Sequence, residues 1–114
     1  MPFEQHQEKQ YSKDSGAVFR AAVAACEKLG ATPVATLPDK GRLEVKFPKT
    51  MLGKTLGERT YLTCEVRAQG EDCLAVVDAY PLDAVERKLM FGARKGVTQT
   101  VVTWFLEHLD QELA

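Results

Sequence analysis

The sequence predicts a two-layer α+β domain: a four- or five-stranded antiparallel sheet with two helices on one face, in the order (β)-α-β-β-β-β-α. Three observations carry this. Two segments repeat apolar residues at helical spacing, residues 16–29 and 97–113. Two further stretches, 33–47 and 61–80, alternate apolar and polar residues around turn signals. At 114 residues the chain is one domain's worth, read here as a single unit over 1–114, and large enough to bury a core.

The elements follow in order. Residues 4–11 carry a weak strand signal, because their alternation is mostly polar. Asp14 or Ser15 offers an N-cap for a helix from Gly16 to Leu29. Val18, Phe19, Ala22, Cys26 and Leu29 share its apolar face, and Gly30 is a stop signal. A hairpin comes next. Val34 and Thr36 are expected on one side of its first strand, and Leu43, Val45 and Phe47 on one side of its second. Pro38-Asp39-Lys40-Gly41 forms the turn: proline presets φ and glycine accepts φ > 0. Residues 48–59 read as a loop.

The second hairpin has the clearest pattern. Leu62, Cys64, Val66 and Ala68 alternate with Tyr61, Thr63, Glu65 and Arg67, and Cys73–Tyr80 returns after Gly70-Glu71. That turn pairs Ala68 with Cys73, Cys64 with Val77 and Leu62 with Ala79 on the buried face. On the other face it pairs Arg67 with Leu74, Glu65 with Val76, Thr63 with Asp78 and Tyr61 with Tyr80, so that Asp78 is placed to accept a hydrogen bond from Thr63. Residues 81–96 are irregular, with capping-box spacing at Asp83–Glu86. The last helix, Val97–Leu113, stripes Val101, Phe105, Leu109 and Leu113, with Trp104 beside them.

This element order resembles the TATA-binding-protein-like and helix-grip (START-like) superfolds over most of the chain. The resemblance implies architecture. It also implies two habits of use: an apolar ligand held between sheet and long helix, or a bare sheet face offered to a partner. Superfolds host many functions, so residues must decide between them.

Composition excludes several classes. Net charge is −1, so no whole-protein field draws nucleic acid or membrane. No apolar run approaches the ~20 residues of a membrane span. The N-terminal residues lack the apolar core of a signal peptide, which places the chain in the cytoplasm. Cys26, Cys64 and Cys73 fit no zinc spacing and read as buried free thiols. No metal or cofactor is expected. His6 and His108 have no nucleophile in context, and His108 edges the last helix's apolar stripe as a packing residue. Gly53-Lys54-Thr55 resembles the end of a P-loop, but Pro48 stands where the first glycine must be. The reading is a non-enzymatic binding module.

Two sites are expected. Lys54 and the Arg94–Lys95 pair fall at one end of the sheet, where the loop 48–59 and the segment 81–96 meet the start of the last helix. Met51, Met90 and Phe91 lie among them. Basic residues interleaved with large apolar ones suit an amphipathic anionic ligand or lipid; packing of the apolar residues beneath the loop is the plainer alternative. Acidic residues outnumber Arg67 across 60–86, which argues against nucleic acid. The second site is the outer sheet face, where Tyr61, Leu74, Val76 and Tyr80 would form a homodimer or partner interface. A last helix standing off the sheet would favour the ligand; Trp104 and Phe105 filling that space would favour the interface.

Overall fold

A computed structural model describes residues 4–56, 58–82 and 96–114. Its elements in chain order are β1 (Gln5–Tyr11), α1 (Ser15–Lys28), β2 (Thr32–Leu37), β3 (Arg42–Phe47), β4 (Thr50–Met51), β5 (Lys54–Thr55), β6 (Arg59–Gln69), β7 (Asp72–Leu82) and α2 (Val97–Leu113). Five strands form one antiparallel sheet in the order β1-β7-β6-β3-β2, and β4 and β5 form a separate small hairpin. The α+β class and the two helices are as the sequence predicts.

The alternation in β6 and β7 sets their register. Leu62 faces Ala79, Cys64 faces Val77 and Ala68 faces Cys73, as the turn position requires. Leu43, Val45 and Phe47 of β3 join Leu62, Cys64, Val77 and Ala79 on the inner face, all buried. Both helices cover that face. Val18, Ala22, Ala25 and Cys26 of α1 and Val101, Phe105 and Leu109 of α2 complete the core. Phe105 and Leu109 are fully buried, while Trp104 is half-buried.

The ends of α1 are chemically specified. Asp14 is the N-cap, its carboxylate accepting from the Ala17 amide at 3.2 Å. At the other end Gly30, at φ +80°, lets the Ala31 amide donate to the Cys26 carbonyl and its own amide to that of Glu27. This is a Schellman closure, which retires two otherwise unpaired carbonyls.

Three points go beyond the sequence reading, two of them as corrections. First, the weak strand signal over residues 4–11 is borne out: β1 pairs with β7 along its whole length, Gln5 opposite Ala79 through Tyr11 opposite Cys73. It reads weakly because it is an edge strand on which Tyr11 alone is buried. Second, the first hairpin does not keep Val34 and Thr36 in simple alternation. A bulge between Pro33 and Ala35 interrupts the register, and Val34 is 49% exposed. Third, residues 48–59 are not all loop. Thr50 pairs with Thr55 and Met51 with Lys54, around Leu52 at φ +52° and Gly53 at φ +77°. Two successive left-handed residues make the tight mirror-image turn that suits a twisted hairpin. The capping-box residues Asp83–Glu86 lie outside the described residues.

Candidate functional site

The loop end of the sheet holds part of the first expected site. Met51 is 2% exposed and belongs to the core. Lys54 is exposed on β5, its ammonium 5.9 Å from the centre of the Trp104 ring. Met90, Phe91, Arg94 and Lys95 lie outside the described residues. Gly96, at φ +84°, caps α2 and accepts the Thr100 hydroxyl at its carbonyl.

The outer sheet face is more committed than its sequence suggests. Tyr61 and Tyr80 stack with ring centres 5.3 Å apart, and the Tyr61 hydroxyl donates to Glu44. Val76, although on the outer face, is only 5% exposed, while Leu74 is half-buried. A ladder of charges crosses the neighbouring strands: Arg42 to Glu44 at 3.0 Å, Arg42 to Glu65 at 3.3 Å and Arg67 to Glu65 at 2.6 Å. The Tyr61 hydroxyl and then Arg42 hold the Glu44 carboxyl below its ordinary range, and Arg67 does the same for Glu65.

Asp78 does not depend on Thr63. Its carboxylate is 2.5 Å from His6 Nδ1, and Glu8 lies 2.8 Å from His6 Nε2. β1 supplies this partner, so the pair is invisible until the first strand is placed. Hydrogen bonds to Asp78 and then to Glu8 raise the His6 pKa above 6.5. The other histidine is a packing residue: His108 Nδ1 donates to the Trp104 carbonyl one turn back, at 2.9 Å. The three cysteines are free and buried. Burial raises all three thiols, which disfavours the thiolate form. Among the described residues no cluster could hold a metal ion, and no helix is long and apolar enough to cross a membrane.

A groove lies at the other end of the sheet, between the first turns of α1, the β2–β3 turn and the far end of β6. Its volume is about 640 Å³, within the range of small-molecule sites. Phe19 and Val23 of α1 form one wall, Val66 and Ala68 of β6 the other, with Pro38 at the turn. Arg20, Asp39 and Lys40 are exposed along it. Arg20 lies back along α1, its Nη1 3.3 Å from where a Cβ on Gly16 would sit. Among the described residues neither Arg20 nor Lys40 is in an ion pair.

The turn itself is pinned. Residues Pro38–Lys40 form a 3-10 turn closed by Gly41, at φ +62°. The Val66 amide donates to the Gly41 carbonyl at 2.7 Å, bringing the two backbones together. A Cβ on Gly41 would meet the Val66 carbonyl oxygen at 2.5 Å, so only glycine fits. Sequence reasoning missed the groove because its cations sit twenty residues apart, one on a helix and one in a turn. The available signal was Gly41, which marks a close backbone approach.

No family model matches the chain, and no curated protein matches it in sequence. Solved structures resemble it. Ara h 8.0201 superposes with a TM-score of 0.65 at 9% identity, over 96% of this chain and 97% of that one. Protein CV1439 from Chromobacterium violaceum superposes with a TM-score of 0.60, also at 9% identity, over 98% of this chain and 95% of that one. At such identities the likeness is one of fold. It supports the helix-grip, START-like arrangement among the superfolds that the element order resembles.

Proposed function

We propose that the chain is a small non-catalytic binding module for an amphipathic anion, a small molecule or single-chain lipid, taken up in the groove between α1 and the β2–β3 turn. One observation carries the reading: two cations without ion-pair partners among the described residues stand beside an apolar-walled groove of about 640 Å³. An apolar body would lie along Phe19, Val23 and Val66, losing water contact at about 25 cal/mol per Å² of surface buried. Arg20 and Lys40 would neutralise the head group. The residue chemistry at the loop end is of the same kind, so Arg94, Lys95 and Lys54 mark the competing location for such a ligand.

The test is a native mass spectrum of the gently purified protein, repeated after adding decanoate. A monomer with added mass supports the reading. Loss of that mass in an Arg20→Glu/Lys40→Glu variant supports the groove; loss in Arg94→Glu/Lys95→Glu instead moves the site to the loop end. A monomer that takes up nothing overturns the reading. So does a bare dimer that Tyr80→Lys breaks, which would favour assembly through Tyr61, Leu74, Val76 and Tyr80.

A further inference from the structure

We infer that β2 is a self-complementary edge, through which two copies of the chain pair antiparallel about a two-fold axis at Thr36. The inference is independent of the groove. The sheet order leaves β1 and β2 as its open edges, and an edge presents a row of N–H and C=O groups that another strand can pair. The two edges differ. β1 carries His6, Glu8 and Lys9, charges of the kind that blunt an edge. β2 reads Thr-Pro-Val-Ala-Thr-Leu, and no charged residue stands between Leu29 and Pro38. Val34 and Leu37 of β2 are two of the three exposed large apolar side chains among the described residues. Neither helix shelters the strand. Pro33 and Thr36 pair with the buried Val45 and Leu43, which puts them on the helical side of the sheet, yet both are exposed.

A second copy is the occupant this strand fits. The bulge between Pro33 and Ala35, beside a proline with no amide to donate, closes the first half of β2 to regular pairing. Ala35, Thr36 and Leu37 stay regular, opposite Glu44, Leu43 and Arg42 of β3. A sheet continued across the seam needs residues of the same face opposite one another. Centring the pair on Thr36 achieves this within the regular segment: Thr36 opposes its own copy, and Leu37 opposes Ala35. A threonine pair and a large-against-small pair both suit the pleat. No charge in the paired segment meets its own kind. Asp39 and Lys40, in the turn just past β2, face the uncharged start of the other copy's strand. The charged rows of the two β3 strands, Arg42, Glu44 and Lys46, stand three strand spacings apart, roughly 14 Å, beyond the screening length of about 8 Å at physiological salt. β1 paired on itself through Glu8 would instead oppose two carboxylates, and β1 against β2 is a head-to-tail contact with no two-fold axis. The seam is short, below the roughly 1,200 Å² of standard specific interfaces, so the dimer is weak and reversible.

Sedimentation velocity across the micromolar to millimolar range tests the inference, with circular dichroism confirming the fold of each variant. The unaltered chain is expected to become half dimeric between about 10 µM and about 1 mM, as a small seam implies. Thr36→Lys, which opposes two ammonium groups on the axis, should weaken the dimer at least about tenfold. Glu8→Lys on β1 and Tyr80→Lys on the outer sheet face should leave it within about twofold, because neither touches the seam. Thr36→Cys adds a positive readout. The native thiols are all buried, so mild oxidation should link two copies through the new cysteine, whereas Glu8→Cys should give no such product. A chain that is monomeric throughout, a dimer that Thr36→Lys leaves unchanged, a dimer broken by Glu8→Lys or Tyr80→Lys, or absence of the Thr36→Cys cross-link overturns the inference. Growth into higher oligomers, the mark of β1 pairing with β2, overturns it too. Ligand uptake in the groove is read separately, from the native mass spectrum.

Discussion

Replacing Gly41 with alanine tests how the turn beside the groove is held. Two costs arise. A non-glycine residue at φ +62° pays about 1–2 kcal/mol for the left-handed backbone. The new Cβ would also lie 2.5 Å from the Val66 carbonyl oxygen, a backbone atom that cannot swing aside. Restoring ordinary contact near 3.4 Å means a shift of roughly 0.9 Å, which breaks the 2.7 Å bond from the Val66 amide to the Gly41 carbonyl. That adds about 1 kcal/mol. Alanine stiffens the unfolded chain and returns about 0.4–1 kcal/mol. The net expectation is a loss of about 2 kcal/mol. Gly70, in the β6–β7 turn at φ +67°, is the control, because a Cβ there meets nothing within 4 Å. Gly70→Ala should therefore lose only about 0.5–1 kcal/mol. Urea unfolding followed by circular dichroism measures both. Equal losses in the two variants would refute the argument that the approach of Gly41 to β6, and not its dihedral angle alone, excludes a side chain.

Two further outcomes follow from the same structure. Leu52, 53% exposed at φ +52° in the β4–β5 turn, makes the hairpin adopt a conformation that suits asparagine or glycine, so Leu52→Asn should raise stability by about 0.5–1 kcal/mol in urea unfolding. The His6 imidazole, raised above its ordinary value by Asp78 and Glu8, binds its proton more tightly folded than unfolded. Its contribution is thus full below about pH 6.5 and fades as pH rises through the higher folded value; His6→Gln should flatten the dependence of the urea midpoint on pH across that window, and an unchanged slope would show that His6 does not pin β1 to β7.

What the sequence disclosed depends on how many faces each element buries. β6 and β7 alternate cleanly because helices cover one face and charges the other, so their pairing is readable residue by residue. α2 is bounded where predicted because its apolar stripe meets the sheet along its length. β1 buries Tyr11 alone, so periodicity has little to show. The β4–β5 turn is hidden for another reason: leucine occupies a left-handed position that normally announces itself with asparagine or glycine. Charge clustering along the chain is visible at Arg94, Lys95 and Lys54. The groove assembles Arg20 and Lys40 from segments that meet only after α1 and the first hairpin dock on β6, a tertiary fact without a local signature.

The single tryptophan turns this geography into an instrument. Trp104 sits half-buried under Lys54, at the opposite end of the sheet from the α1 groove. Its emission should respond when the β4–β5 hairpin lifts or when an anion draws Lys54 away. A molecule settling beside Arg20 and Lys40 should leave it dark to the event. An unlabelled fluorescence titration therefore carries a built-in address, reporting at which end of the molecule a ligand has arrived.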